Sequence, residues 1–410
     1  MVVQRRAPLV PPLVRGSSTR SGSRRIAILG STGSIGGAAL DIVRTHPERF
    51  AVVALGAGRR AEMLADQVAE FNPAVAVLAE GWPAGYPERF PGVECVSGTA
   101  AAEAVARRGD IDVVLAGTVG LAGLRPVLAA VRAGKVLALA NKESLVMAGD
   151  LVAEAAAVSG AVIVPVDSEH SAIFQALQGA RFEEVRSLVL TASGGPFLDT
   201  PSSEFARVTP EQALRHPRWN MGAKISIDSA TLVNKALEVI EAHWLFGVPV
   251  EQIEVVVHPQ SIVHSAVDFV DGSMVAQLSQ PDMRGPIAYA LEYPDDRLPA
   301  VVPRLSLAAV GRLDFRPLDT TKFPAVELAK AAVRAGGALA AVFTVANEVA
   351  VGAFLERRLR FDRIVPTIEG ALAQFTGTSY RTLDDLEAVV TAVTRWVGEH
   401  IEQSNRFRAP

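Results

Sequence analysis

Residues 25–36 read RIAILGSTGSIG, and this stretch decides the architecture. Residues 25–29 form a short apolar strand that runs without a spacer into Gly30-Ser-Thr-Gly33-Ser-Ile-Gly36. A helical pattern continues through Ala39, Leu40 and Val43. Strand, glycine turn and helix in that order make a place for a pyrophosphate. The glycines let the backbone approach the anion, and the helix start offers amide hydrogens to its charge. The spacing G-x-x-G-x-x-G departs from the commoner G-x-G-x-x-G, so the position of the turn carries the reading more than its spelling does.

Working outward, residues 51–55 are the next strand. Sites for NAD usually end this strand in an acid that holds the ribose 2′-hydroxyl. Here it runs into Gly56-Ala-Gly58-Arg59-Arg60, with no acid and two arginines. That suits a 2′-phosphate, and so NADP; two solvated arginines opening a helix are the plainer alternative. Strand patterns at 74–78, 113–116 and 136–140 alternate with helices near 100–108 and 124–133. Repeated βα units predict a doubly wound α/β sheet with right-handed connections. The last of these strands ends in Asn141-Lys142-Glu143-Ser144, where a lysine could reach a phosphate or lie on the surface.

Residues 162–175, VIVPVDSEHSAIFQ, follow. A β-branched run stops at Pro165, and Asp167 and Glu169 then flank Ser168, with His170 just after. Ligands sit at the carboxyl ends of strands in such sheets, so these groups suggest a hard-metal or phosphate-sugar site. A helix N-terminus, which favours Ser and acids for capping and dipole reasons, explains the same residues. Residues 224–238, KISIDSATLVNKALE, read as a polar start moving into a helix. Asn234, Lys235 and Glu238 share one helical face at i,i+3 and i,i+4 spacing. The apolar Leu232, Val233, Leu237, Val239 and Ile240 imply burial, so that polar face must meet something. Between the two, a strand at 187–191 ends in Ser193-Gly194-Gly195. A long polar segment to Gly222, carrying His216, Trp219 and Met221, then has the character of an active-site lid.

Strands at 254–257 and 262–270, a turn at Asp271-Gly272 and a strand at 273–278 predict an antiparallel sheet suited to packing on another subunit. Residues 294–324 are proline-rich and read as a linker. Beyond Ala325 the pattern is helical, with Leu386, Val389, Val390, Val393 and Val397 in one stripe behind Thr382 as N-cap.

Composition bounds the rest. A chain of 410 residues, 49% hydrophobic and 20% charged, is expected to be globular with two or three domains. A net charge of −4 argues against nucleic-acid or polybasic membrane partners. No stretch reaches the roughly 18 apolar residues of a membrane span. Cys95 is the single cysteine, which excludes an internal disulfide and fits a reducing, cytoplasmic setting. Residues 1–24 hold arginines and prolines but no acid, and read as a disordered extension.

Together these motifs resemble the 1-deoxy-D-xylulose 5-phosphate reductoisomerases. The resemblance rests on GSTGSIG (30–36), ANKES (140–144), VDSEHSAIFQ (166–175) and SGGPF (193–197). It extends through HPRWNMG (216–222), KISIDSATLVNKALE (224–238), HPQSIVHS (258–265) and ANEVAV (346–351). It implies a Rossmann-like NADP-binding domain over 25–165. An α/β catalytic, metal-binding and dimerisation domain with a mixed or antiparallel sheet would follow over 166–294, its lid at about 194–222. A linker over 295–324 and a small C-terminal helical domain over 325–410 would complete the chain.

The family converts 1-deoxy-D-xylulose 5-phosphate to 2-C-methyl-D-erythritol 4-phosphate with NADPH and Mg²⁺ or Mn²⁺, in the non-mevalonate route to isoprenoids. The resemblance makes Asp167, Glu169 and Glu238 the metal ligands, an all-oxygen set suited to those ions. It gives the substrate phosphate to Ser193, Ser229, Asn234 and Lys235, with His216, and the oxygenated carbons to Ser168 and Lys142. It gives the dinucleotide to Thr32, Gly33, Ser34, Ile35, Gly58, Arg59, Arg60, Asn141, Glu143 and Gly222. A homodimer is implied as well. A plain NADP-dependent dehydrogenase has no evident use for three carboxylates, and a silent NADP sensor would need neither them nor Lys235 and His216.

Overall fold

The computed structural model describes residues 6–10, 22–215, 222–295 and 297–406. The first half alternates β1 (Arg24–Leu29), α1 (Ser34–Thr45), β2 (Phe50–Ala57), α2 (Ala61–Phe71), β3 (Val75–Leu78) and β4 (Glu94–Ser97). It continues with α3 (Thr99–Ala106), β5 (Val113–Ala116), α4 (Leu124–Arg132), β6 (Val136–Leu139), α5 (Lys142–Ser159) and β7 (Val162–Pro165). The seven strands lie parallel in the order β4-β3-β2-β1-β5-β6-β7. Strands such as VAVL in β3 and VVLA in β5 are buried along their whole length, as a sheet covered by helices on both faces requires. Strand β4, ECVS, is absent from the sequence reading because it is a half-exposed edge strand with no apolar run.

Strand order reverses between β1 and β5, and that reversal opens a crevice at the strands' carboxyl ends. Two glycines there have a steric reason. Gly30 has φ +90°, and a Cβ on it would lie 2.5 Å from the Gly117 carbonyl oxygen, beyond β5. At Gly36 a Cβ would lie 2.4 Å from the Gly30 carbonyl oxygen. The turn is tight because the ends of β1 and β5 abut.

A second unit comprises α6 (Ser168–Ala176), β8 (Val185–Ala192), α7 (Pro210–Ala213), α8 (Ala223–Ala230), α9 (Val233–Phe246) and β9 (Ile253–Val257). After these come β10 (Val263–Phe269), β11 (Met274–Leu278), α10 (Arg284–Glu292), α11 (Leu307–Val310) and β12 (Arg316–Pro317). Its sheet, ordered β11-β10-β8-β9-β12, is mixed: β8 and β9 are parallel and the remaining pairs antiparallel. Helix α6 leaves β7 of the first sheet and packs on β10 and β11 of the second, so the segment between the sheets is itself a structural joint. Four helices, α12 (Ala325–Ala335), α13 (Leu339–Leu355), α14 (Ile364–Gln374) and α15 (Leu383–Arg406), end the chain. Helix α12 packs on α9, and α13 packs on α5 as well as on α14 and α15. Among the described residues, no helix is long and apolar enough to cross a membrane.

Two expectations need correction. Residues 295–324 are not a plain linker, since they contain α11 and the edge strand β12. Pro317 is tolerated because an edge strand has a side with no ladder to feed. The segment is fastened by Gln260 Nε2 donating to Asp314 at 2.7 Å and Lys322 Nζ donating to the Leu198 carbonyl at 2.6 Å. Nor are residues 1–24 uniformly free. Arg24 opens β1 and donates to the Leu291 and Tyr293 carbonyls at 2.6 and 2.8 Å. Residues 6–10 run across the end of α9, where the Arg6 and Leu9 amides donate to the Gly247 and Leu245 carbonyls at 3.2 and 2.9 Å. Arg6 also stacks 4.2 Å over the Trp244 ring. These carbonyls belong to a helix end, which always has acceptors to spare.

Candidate active site

Helix α6 starts as soon as β7 ends, and Asp167 is its N-cap, accepting from the Glu169 amide at 3.3 Å. Glu169 falls in the first turn, where the helix dipole favours an acid. Helix α9 begins after Leu232, a non-glycine residue held at φ +58°. That left-handed residue turns the chain between α8 and α9 and presents Asn234, Lys235 and Glu238 together. One oxygen from each of Asp167, Glu169 and Glu238 lies within 4.8 Å of the others. Capping and convergence coexist here.

Two lysines bind this acidic group. Lys142, the first residue of α5, pairs with Asp167, lies 3.3 Å from Glu238 and donates to the Asn234 Oδ1 at 3.1 Å. Lys235 donates to Glu169 at 2.8 Å and pairs with Glu238 on its own helix. Asn234 Nδ2 donates to Glu238 Oε1 at 2.5 Å. Burial alone would lower Lys142, yet Asp167, Glu238 and Glu241 hold it well above its ordinary value. Burial would likewise raise Asp167, but Lys142 and His170 hold it well below the carboxylate range. Glu238 goes the other way, raised by burial and by its carboxylate neighbours Asp167 and Glu169.

Behind the three acids lies a pair, His170 and Glu241, of which the sequence pattern points only to His170. His170 is fully buried, with Nε2 2.9 Å from the Glu238 carbonyl, which can only accept, so Nε2 carries a proton. Nδ1 faces two carboxylates, Glu241 at 3.3 Å and Asp167 at 3.5 Å, and so carries one too. Burial would lower this imidazole, but Glu241 and Asp167 raise it to about 9. Glu241 stands three residues beyond Glu238; the i,i+3 spacing that drew attention to Lys235 would have found it as well.

The remaining expected residues fall around this centre. Ser168 Oγ donates to Glu169 Oε2 at 2.6 Å. Ser193 follows β8, and its Oγ accepts from the Gly195 amide at 3.3 Å. Gly195, at φ +67°, packs so tightly on α8 that a Cβ would lie 2.6 Å from the Ser229 carbonyl oxygen, which brings the Ser193 and Ser229 segments side by side. His216 lies outside the described residues, as do Trp219 and Met221 and the rest of 216–221 in the expected lid; Gly222 is described and exposed. Thr32 is buried in the glycine turn, Gly33 and Ile35 are half-buried, and Ser34 is exposed. Gly58, Arg59 and Arg60 are exposed after β2, and Arg60 donates to the Thr32 carbonyl at 2.6 Å. Asn141 caps α5 by accepting from the Ser144 amide at 3.0 Å, and it donates to the Gly120 carbonyl at 3.0 Å. Glu143 is met by Lys224 at 3.1 Å.

The donor set fits a hard divalent cation. Oxygens on one ion at about 2.1 Å lie within about 4.2 Å of each other, close to the spread among Asp167, Glu169 and Glu238. The two ammonium groups already stand where positive charge is required. A crevice with a glycine turn at its switch point, followed along the strand ends by an oxygen-donor cluster that fits a divalent ion, is the arrangement of a dinucleotide-dependent oxidoreductase.

Comparison with known proteins gives the family. A family profile described as 1-deoxy-D-xylulose 5-phosphate reductoisomerase matches residues 26–149, and profiles for its C-terminal regions match 163–246 and 278–396. A 1-deoxy-D-xylulose 5-phosphate reductoisomerase of Anaeromyxobacter sp. (strain K) is 51% identical over 387 residues, 94% of this chain and 95% of that one. One from Ralstonia pickettii is 51% identical over 376 residues, covering 90% and 94%. The Zymomonas mobilis reductoisomerase solved with NADPH superposes with a TM-score of 0.86 at 41% identity, over 93% of this chain and all of that one. A reductoisomerase solved with NADPH, fosmidomycin and magnesium gives 0.89 at 39% identity, over 93% and 99%. The chain belongs to the 1-deoxy-D-xylulose 5-phosphate reductoisomerase family.

Glu238→Gln removes one charge from the cluster and keeps the shape. Mn²⁺ affinity, read by electron paramagnetic resonance, is expected to fall at least about 100-fold, since a charged ligand is worth about 3 kcal/mol or more. NADPH affinity should stay within about twofold. Unchanged Mn²⁺ binding would place the cation elsewhere.

Proposed function

We infer that the Asp167–Glu169–Glu238 cluster is where this chain carries out its family's reaction. That reaction is the NADPH- and divalent-metal-dependent rearrangement and reduction of 1-deoxy-D-xylulose 5-phosphate to 2-C-methyl-D-erythritol 4-phosphate. One observation carries the assignment: carboxylates from α6 and α9 converge at the carboxyl edge of the parallel sheet, in the row of strand ends that begins at the glycine turn. When bound, the cation supplies Lewis-acid polarisation of the carbonyl and adjacent hydroxyl oxygens, and NADPH supplies the hydride.

The chain's own residues do the rest. Asp167, Glu169 and Glu238 hold the cation, and Lys142 with His170 keeps the Asp167 carboxylate charged. Lys142 and Ser168 donate to the oxygenated carbons of the substrate. Ser193, Ser229, Asn234 and Lys235, with His216, take the phosphate, whose distance from the reacting carbons makes it a source of orienting energy. The dinucleotide's phosphates lie on Thr32, Gly33, Ser34 and Ile35 at the start of α1, and Gly58, Arg59 and Arg60 receive the 2′-phosphate end. Asn141, Glu143 and Gly222 meet its nicotinamide half.

Two further readings are proposed. The exposed Val270, Met274 and Val275 on the β10–β11 hairpin support a homodimer formed on that edge. The lone Cys95 supports a cytoplasmic setting.

Purified protein given 1-deoxy-D-xylulose 5-phosphate, NADPH and Mg²⁺ should oxidise NADPH at the nicotinamide absorbance, and chelation should stop it. Oxidation that persists in a chelator would defeat the assignment. Replacing Arg59 and Arg60 by Ala should weaken NADPH by about tenfold or more and NADH little; equal weakening would move the 2′-phosphate contact. Sedimentation velocity should report a dimer, and a monomer at micromolar concentration would remove the hairpin proposal.

A further inference from the structure

The C-terminal helix α13 carries the ANEVAV motif, and Asn347 within it reaches a polar partner on another helix. Asn347, fully buried, donates through Nδ2 to Asp228 Oδ1 at 2.7 Å. Asp228, itself buried on α8, takes the Lys224 ammonium at 2.8 Å on its other oxygen. Lys224 also donates to Glu143, in the first turn of α5, at 3.1 Å. Glu348 sets its carboxylate against the chain after β5: a Cβ on Gly120 would lie 3.1 Å from Glu348 Oε1. Gly120 is in turn tied to Asn141 through its carbonyl. The C-terminal helix, α8 and the start of α5 are thus joined by one set of polar contacts, with Glu348 lying against the loop after β5.

This set lies in a particular place. Ligands line up along the carboxyl ends of β1, β5, β6 and β7. The glycine turn follows β1 and the acidic cluster follows β7, so the groups after β5 and β6 sit between pyrophosphate and metal. That interval belongs to the nicotinamide half of the cofactor. Two carboxylates, Glu143 and Asp228, share one ammonium there. Burial would lower Lys224, but Asp228 and Glu143 hold it above its ordinary value. A packing contact between helices would be met more cheaply by apolar side chains. A polar network spanning several elements instead fixes orientation, because each member holds only if its neighbours do.

We propose that Lys224 and Asn347 are positioning residues for NADPH. Asn347 orients Asp228, Asp228 and Glu143 share the Lys224 ammonium, and the Glu143 carboxylate is held where the cofactor's nicotinamide half passes. The C-terminal helices thereby set a part of the dinucleotide site that they do not themselves build. The inference rests on the reading that Glu143 meets the cofactor.

The test uses the full chain, with NADPH affinity read by fluorescence titration and Mn²⁺ affinity by electron paramagnetic resonance. Lys224→Met and Asn347→Leu should each weaken NADPH about tenfold or more and leave Mn²⁺ within about twofold. Lys224→Arg, which keeps the charge, should recover most of the loss. Because Lys224 is partly exposed, its variants carry the test if Asn347→Leu does not fold. Unchanged NADPH affinity, equal loss of NADPH and Mn²⁺ binding, or no recovery by arginine would each overturn the proposal. Glu143→Gln separates the two levels. If it weakens NADPH while Lys224→Met does not, this inference fails and the cofactor reading stands. If it leaves NADPH unchanged, the reading fails and the inference fails with it.

Discussion

Three buried or half-buried carboxylates gathered around one point repel each other, and the structure depends on how that repulsion is met. Asp167, Glu169 and Glu238 are offset by Lys142 and Lys235, and Asp167 again by His170 with Glu241 behind it. Leaving one such ion uncompensated costs several kcal/mol, comparable with the margin by which a domain is stable at all. The compensating charges come from α5, α6 and α9, so the ends of the two sheets must meet in one register for any of them to be neutralised. On the proposed reading, the same excess of negative charge is what draws a divalent cation in.

Position follows from this constraint. Helix α6 is fixed at its start by the Asp167 cap and along its length by β10 and β11, so it links the parallel sheet to the mixed one. Helix α9 is buried on nearly every side, and it turns Asn234, Lys235, Glu238 and Glu241 toward the cluster and its neighbour His170. The left-handed Leu232 between α8 and α9 is the local cost of aiming them, about 1–2 kcal/mol for a non-glycine residue.

Much of this was legible in residue order. The strand at 113–116 and the helix-start acids at Asp167 and Glu169 stand where their patterns place them, because fully buried strands and capped helices leave strong local signals. The i,i+3 and i,i+4 relations among Asn234, Lys235 and Glu238 hold for the same reason. What escaped has weak local signals. Strand β4 is short and half-exposed, and β12 is two residues inside a proline-rich stretch. Glu241 looks like an ordinary helix residue until the fold sets it against His170, and the tie from Asn347 to Asp228 spans 119 positions that no periodicity connects. Local pattern names the elements; long-range charge pairing has to be seen.

The segment at residues 6–10 has a bearing on how the chain matures. Its amides close the end of α9, yet Leu9 leaves the ribosome about 240 residues before the Leu245 carbonyl it will meet. At roughly 5–20 residues per second, that is a wait on the order of 10–50 s. The parallel sheet can assemble in the meantime, since all its strands precede residue 166. Residues 6–10 therefore find their place only once α9 has been made, on the outer end of the helix that carries Glu238.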